Sequence, residues 1–221
     1  MTDIPRNQAQ IMLDMQAKMN SKICADWVQQ SFPYLRAVII EGAEAIEHHG
    51  WKWWKKQHCD TAQLQMEIVD IWHFILSAIL LKSGNDHNQA LELLLSINIK
   101  ENQRNKIDFD GMTYEFSSLD LVAKLELLIG VSVSRRIELA LFTALLHDCN
   151  MNWEELFEQY VGKNVLNFFR QDHGYKEGTY LKVWCGKEDN EHLVEIMKNL
   201  DPQDSSYPED LYQLLESRYP V

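Results

Sequence analysis

No proline occurs between Tyr34 and Asp201. An interior proline costs a helix about 3 kcal/mol, so so long a span without one suits long helices. Pro5, Pro33, Pro202, Pro208 and Pro220 all lie outside it. Apolar spacing agrees. In "NWEELFEQYVGKNVLNFFR", Trp153, Leu156, Phe157, Tyr160, Val161, Val165, Phe168 and Phe169 recur at steps of three and four, which lines one helix face. Asn152 with Glu155, and Ser117 with Asp120, have the form of capped helix starts. The pattern predicts helices over roughly 6–22, 33–49, 61–83, 86–97, 117–130, 134–149, 153–171 and 187–199, with a short one near 208–217. No run alternates long enough for a strand, and the polar stretch Asn98–Tyr114 reads as a surface loop. The expectation is an all-α helical bundle forming one domain over residues 1–221.

Charge narrows the function. With 33 acidic against 21 basic residues, the net charge is -12, which disfavours broad binding to nucleic acid or an anionic membrane. A small anionic ligand held by a local basic patch or by metal ions remains compatible. The 46% hydrophobic and 24% charged content argues against disorder. Cys24, Cys59, Cys149 and Cys185 form no CxxC pair and are expected to be reduced. The N-terminus lacks a basic-then-apolar leader pattern, so the expected location is the cytoplasm. The most apolar stretch, "FILSAILL" (Phe74–Leu81), is far shorter than the roughly 20 residues of a membrane span.

Two carboxylate pairs stand out. Glu41 and Glu44 are three apart on one predicted helix, as are Glu67 and Asp70 on the next, so each pair shares a helix face. An isolated ExxE is usually a solvated surface feature. Here the neighbours are apolar, in "AVIIEGAEAI" and "LQMEIVDIWHFILSAILL", and both pairs are expected to be buried. Such carboxylates repel by about 3 kcal/mol per pair at ~5 Å in an effective dielectric of about 20. Residues 60–81 contain no Lys or Arg to offset this. A divalent cation with oxygen ligands is the other solution, and Mg²⁺ suits carboxylates together with substrate phosphates.

Counter-charges gather between Gly162 and Lys187. That stretch holds Gly162, Gly174, Gly178 and Gly186 with Lys163, Arg170, Lys176, Lys182 and Lys187. Glycines admit an anion to backbone amides, and Lys and Arg neutralise it. The plainer reading is a glycine-punctuated loop with solvated lysines. An acidic metal cluster beside a Gly/Lys/Arg/Tyr segment is what a metal-dependent phosphate-ester or anhydride hydrolase requires.

Three blocks carry a family resemblance: "EGAEAIEHHGWKWWK" (41–55), "EIVDIWHFILS" (67–77) and "YVGKNVLNFFRQDHGYKEGTYLKVWCGKEDN" (160–190). They resemble the dimeric, all-α dUTPases, within the all-α nucleoside triphosphate pyrophosphatases that include MazG-like enzymes. The resemblance implies Mg²⁺-dependent hydrolysis of dUTP, and of dUDP, by a homodimer, with two or more ions per site. Glu41, Glu44, Glu67 and Asp70 would hold the metal, and Glu44, with Glu41 beside it, would orient or deprotonate the attacking water. Lys163, Asn167, Arg170, Tyr175, Lys176 and Lys182 would bind phosphates on a mobile segment, 160–190, that closes over the nucleotide. Gln16 and Asn20 in "MQAKMN" would read uracil, since an amide offers both donor and acceptor, and Asn190 would reach the sugar.

His73 and Phe74, one turn past Asp70, are placed to pack on the deoxyribose. Ordinary core packing is their competing role. Trp51 and Trp54 at the end of the first acidic helix would stack on the base. Core packing is expected for Trp53, Trp72 and Trp153. A related pyrophosphatase preferring dCTP, or a MazG-like one, is the nearest alternative. The His147–Asp148 pair suggests an HD-type phosphohydrolase but has no convincing later aspartate, and a purely adaptor role leaves the buried acids unexplained.

Overall fold

The computed structural model describes residues 4–101, 104–202, 204 and 206–220. Its helices are α1 (Arg6–Ile23), α2 (Trp27–Gln30), α3 (Tyr34–His49), α4 (Thr61–Lys82), α5 (His87–Glu101), α6 (Leu121–Val133), α7 (Leu139–Asp148), α8 (Trp153–Asp172), α9 (Asp189–Met197) and α10 (Tyr207–Arg218). The all-α expectation holds. Two short hairpins interrupt it: β1 (Lys106–Phe109) with β2 (Met112–Glu115), and β3 (Val183–Trp184) with β4 (Lys187–Glu188).

The first hairpin corrects the reading of 98–114 as loop. Helix α5 runs on to Glu101, and Asp110 and Gly111 then adopt φ of 50° and 76°. Two left-handed residues in succession make the tight turn whose twist matches a hairpin. "DG" between short alternating runs was the available signal. Other corrections fall at helix starts. Asp120, not Ser117, caps α6, its carboxylate accepting from Ala123 N at 2.8 Å. Helix α7 begins at Leu139 rather than 134, after Arg136 has paired with Glu138. The Asn152–Glu155 capping box of α8 is present as read.

Helix α4 is the axis of the bundle. It packs most extensively on α3 and also meets α1, α5 and α8. Ile68, Val69, Ile71, Trp72, Leu76, Ile79 and Leu80 are fully enclosed. By length and composition α4 would cross a bilayer, but 78% of that apolar window is buried inside the protein. Burial on all sides explains why its sequence is apolar throughout. Trp72 stacks on Phe142 at 5.0 Å and meets Trp153, so both tryptophans are core as expected. Trp53 is not. Helix α3 stops at His49, with Gly50 at φ 86°, and Trp53 beyond it is 86% exposed.

Gly162 also differs from its expected role. It lies within α8, where an added Cβ would stand 2.6 Å from Met197 Sδ. It permits the close approach of α9 rather than opening a loop to an anion.

Candidate active site

The contact of α3 with α4 brings Glu41, Glu67 and Asp70 together, with one carboxylate oxygen of each within 4.8 Å of the others. Glu67 is buried, and Glu41 and Asp70 are partly so. Glu44, expected to be buried with them, is exposed on the next turn of α3 and stands outside this trio. The two helices stay in contact beyond it, His48 of α3 reaching Glu67, so Glu44 lies at the exposed edge of the interface rather than past its end.

The cluster pays for its crowding in protons. Burial, followed by the charges of Asp70 and Glu44, pushes the Glu41 carboxyl up to about 7. Burial and then Asp70 push Glu67 up to about 8. One counter-charge arrives from outside α4. Lys163 on α8, 2% exposed, sets its Nζ 2.9 Å from Asp70 Oδ2. His48 Nε2 lies 3.5 Å from Glu67 Oε1. Three crowded hard oxygen donors, beside one lysine, fit a divalent cation of the Mg²⁺ type.

The expected phosphate-binding residues divide. Lys163 and Arg170 share a face of α8. Arg170 is engaged by a carboxylate: its Nε and Nη2 donate to Asp189 Oδ2 and Oδ1 at 2.7 and 2.9 Å, and Nη1 donates to Asn167 Oδ1 at 3.1 Å. Asn190 Oδ1 accepts from Lys163 Nζ at 3.0 Å and from Arg170 Nη2 at 3.4 Å, tying the two bases together. Tyr175 lies beside Arg170, whose guanidinium carbon is 5.9 Å from its ring centre. Lys182 reaches the same cleft and pairs with Glu188 at 3.3 Å. Lys176 does not join them, and its Nζ donates instead to Ile23 O at 3.0 Å. Asp189 was missed by the sequence reading. It has no exposed surface and also accepts from Tyr180 Oη at 3.0 Å; its only signal was its place beside Asn190 in "KEDN".

The cleft has two lobes. One, about 530 Å³, is lined by Glu41, Glu44, Glu67, Asp70, Lys163 and Lys182 among others. The second, about 630 Å³, is lined by Gln16, Asn20, His73 and Phe74, with apolar walls from Met19, Ile23 and Ile40. Glu41, Asp70, Arg170 and Tyr175 border both. Phe32 and Tyr34 also line the second lobe; these aromatics, in "SFPYL" at the start of α3, were overlooked. Gln16 and Asn20 come from α1 and are buried. Burial holds His73 down at about 4, so its ring is neutral.

Trp51 and Trp54 line neither lobe. They sit in the segment after α3, their rings edge-on at 5.2 Å. Trp51 Nε1 donates to Glu47 Oε1 at 2.7 Å, and Lys52 Nζ pairs with the same carboxylate at 2.9 Å. Glu47 and Lys52 therefore balance each other at the surface. His147 and Asp148 lie outside both lobes too, Asp148 pairing with Lys124 at 2.5 Å.

A pocket of acids and bases adjoins an amide- and aromatic-lined pocket that Arg36 also borders, an arrangement that suits a ligand with a polyanionic end and a ring end. Residues 8–175 match the dUTPase family model, and the chain belongs to this all-α dUTPase family. The match spans the acids, the α1 amides and α8, and ends before Lys176, Lys182 and Asn190. No curated protein matches the chain significantly.

Proposed function

We propose that this protein hydrolyses dUTP to dUMP and pyrophosphate with Mg²⁺, and dUDP to dUMP and phosphate, keeping uracil out of DNA. The observation that carries this reading is the junction of the two lobes at Glu41, Asp70, Arg170 and Tyr175. A nucleotide laid across it puts its phosphates among acids and bases and its ring against neutral amides.

Glu41, Glu67 and Asp70, with Glu44 at the rim, would hold two or more Mg²⁺ ions. When bound, Mg²⁺ supplies positive charge for the phosphate chain and makes water more acidic. Glu44 is exposed and outside the compact trio, so it is free to take the proton of the attacking water. Lys163 and Arg170, steadied by Asn190, face the phosphates, with Asn167, Tyr175 and Lys182 around them. Phe74 and the face of the His73 ring lie under the deoxyribose, where a 2′-hydroxyl would meet them, while the His73 ring edge and Asn20, held by Gln16, read the base. The active form is a homodimer located in the cytoplasm.

The test is turnover of dUTP, dCTP, dTTP and UTP with and without Mg²⁺. Mg²⁺-dependent preference for dUTP is expected. No turnover of any nucleotide would refute the enzyme reading, and preference for dCTP would retain the chemistry but remove the uracil assignment.

A further inference from the structure

Behind the second lobe lies a hydrogen-bond network whose members do not all touch the cleft. Gln16 Oε1 is 2.8 Å from His73 Nδ1 and 2.9 Å from Tyr160 Oη. Gln16 Nε2 donates to Ser77 Oγ at 2.9 Å and to Asn20 Oδ1 at 3.1 Å, and Ser77 Oγ donates to Asn20 Oδ1 at 3.2 Å. Tyr160 and Ser77 have no exposed surface and line neither lobe.

The proton directions follow from what is already satisfied. Tyr160 Oη is also 2.9 Å from Met12 O, and Ser77 Oγ is 3.0 Å from His73 O. Those carbonyls lie inside α1 and α4, where the helix ladder supplies their donors. The Tyr160 proton is therefore available to Gln16 Oε1, and the Ser77 proton to Asn20 Oδ1. Asn164 Nδ2 donates to Tyr160 Oη at 3.4 Å. Both amide oxygens are thus turned into the network. Asn164 Oδ1 has no protein partner and its residue lines neither lobe; on the cleft side two more buried polar atoms have none, Asn20 Nδ2 and His73 Nε2. Both of these residues are 4% exposed and both line the second lobe. One is a donor; the other, with the ring proton on Nδ1, is an acceptor.

We propose that Tyr160 and Ser77 are positioning residues that lock the amides of Gln16 and Asn20, so that the lobe offers an N–H donor and a bare ring nitrogen. That pair complements a base edge with a carbonyl next to an N–H, as in uracil. It opposes the amino group and unprotonated nitrogen of cytosine, which would meet donor with donor. The proposal rests on the assignment of this lobe to the base.

The experiment compares kcat/KM for dUTP and dCTP in wild type, Tyr160→Phe and Ser77→Ala, with melting curves to verify folding. Each hydroxyl removed is expected to lower the dUTP-to-dCTP ratio about tenfold, mainly through KM for dUTP. The double variant should lose less than the product, because both act on one network. Equal loss on both nucleotides, or an unchanged ratio in both variants, would overturn the proposal while leaving the base-lobe assignment in place. A wild type that does not prefer dUTP would overturn that assignment, and this proposal with it.

Discussion

Lys163 Nζ lies 2.9 Å from Asp70 Oδ2, joining α8 to the acidic pair of α4. A buried charge is costly unless an opposite charge stands beside it, and here Lys163 is set against the crowded carboxylates. Lys163→Met is therefore expected to weaken nucleotide binding and to reduce metal-free stability at pH 8 by about 1–3 kcal/mol. Urea unfolding at pH 8 and pH 5 checks this: the deficit should shrink at pH 5, where Glu41 and Glu67 are protonated.

The acids also set a pH dependence. Glu41 at about 7 and Glu67 at about 8 stand above their ordinary value of 4.5. The folded state then binds more protons than the unfolded one, so metal-free stability falls as pH rises from about 4.5 to 8 and levels off above. Melting temperatures measured in chelator across that range should show the decline. Glu67→Gln should flatten it, and excess Mg²⁺ should raise stability most at the alkaline end.

Glu44→Gln and Asp70→Asn are both expected to lower kcat by about 10²-fold or more, and they should separate in stability. Glu44 is exposed, so its substitution should stay within about 0.5 kcal/mol of wild type. Asp70→Asn leaves Lys163 buried without its carboxylate and should cost about 1–3 kcal/mol. Parallel activity assays and urea titrations distinguish the two.

Arg170 and Asp189 form a buried bidentate pair. Burial would raise the Asp189 carboxyl, but the bonds from Arg170 outweigh it and hold it below 3.8. This contribution to stability is present above the unfolded aspartate value and is lost as pH falls through the lowered one. Arg170→Ala should destabilise by about 3–5 kcal/mol at neutral pH as well as weaken phosphate binding, with a smaller deficit in strong acid. Denaturation at pH 7 and near pH 2 tests it.

Trp72→Ala should cost about 3–5 kcal/mol, since Trp72 is enclosed among Phe142 and Trp153. Trp53→Ala should change stability by less than about 0.5 kcal/mol. Equal effects in urea unfolding would contradict the placement of Trp53 outside the core.

The sequence by itself determined the helical class, since a long proline-free span with apolar steps of three and four leaves few other folds. It also marked Glu41, Glu67 and Asp70 as acids in apolar surroundings, because local context forecasts burial along a helix. Local context could not show which glutamate of α3 would be enclosed against α4, and so Glu44 was placed inside when it stands at the exposed rim. Gly50 ends α3 before the tryptophans, which separates Trp51 and Trp54 from the cleft that their spacing seemed to serve. The pairing of Lys163 with Asp70, of Arg170 with Asp189, and of Tyr160 and Ser77 with the α1 amides joins residues 93, 19, 144 and 61 or fewer positions apart. No periodicity relates such distant residues. Packing of α1, α4, α8 and α9 decided those contacts, because a buried charge or amide is stable only where another helix delivers its partner.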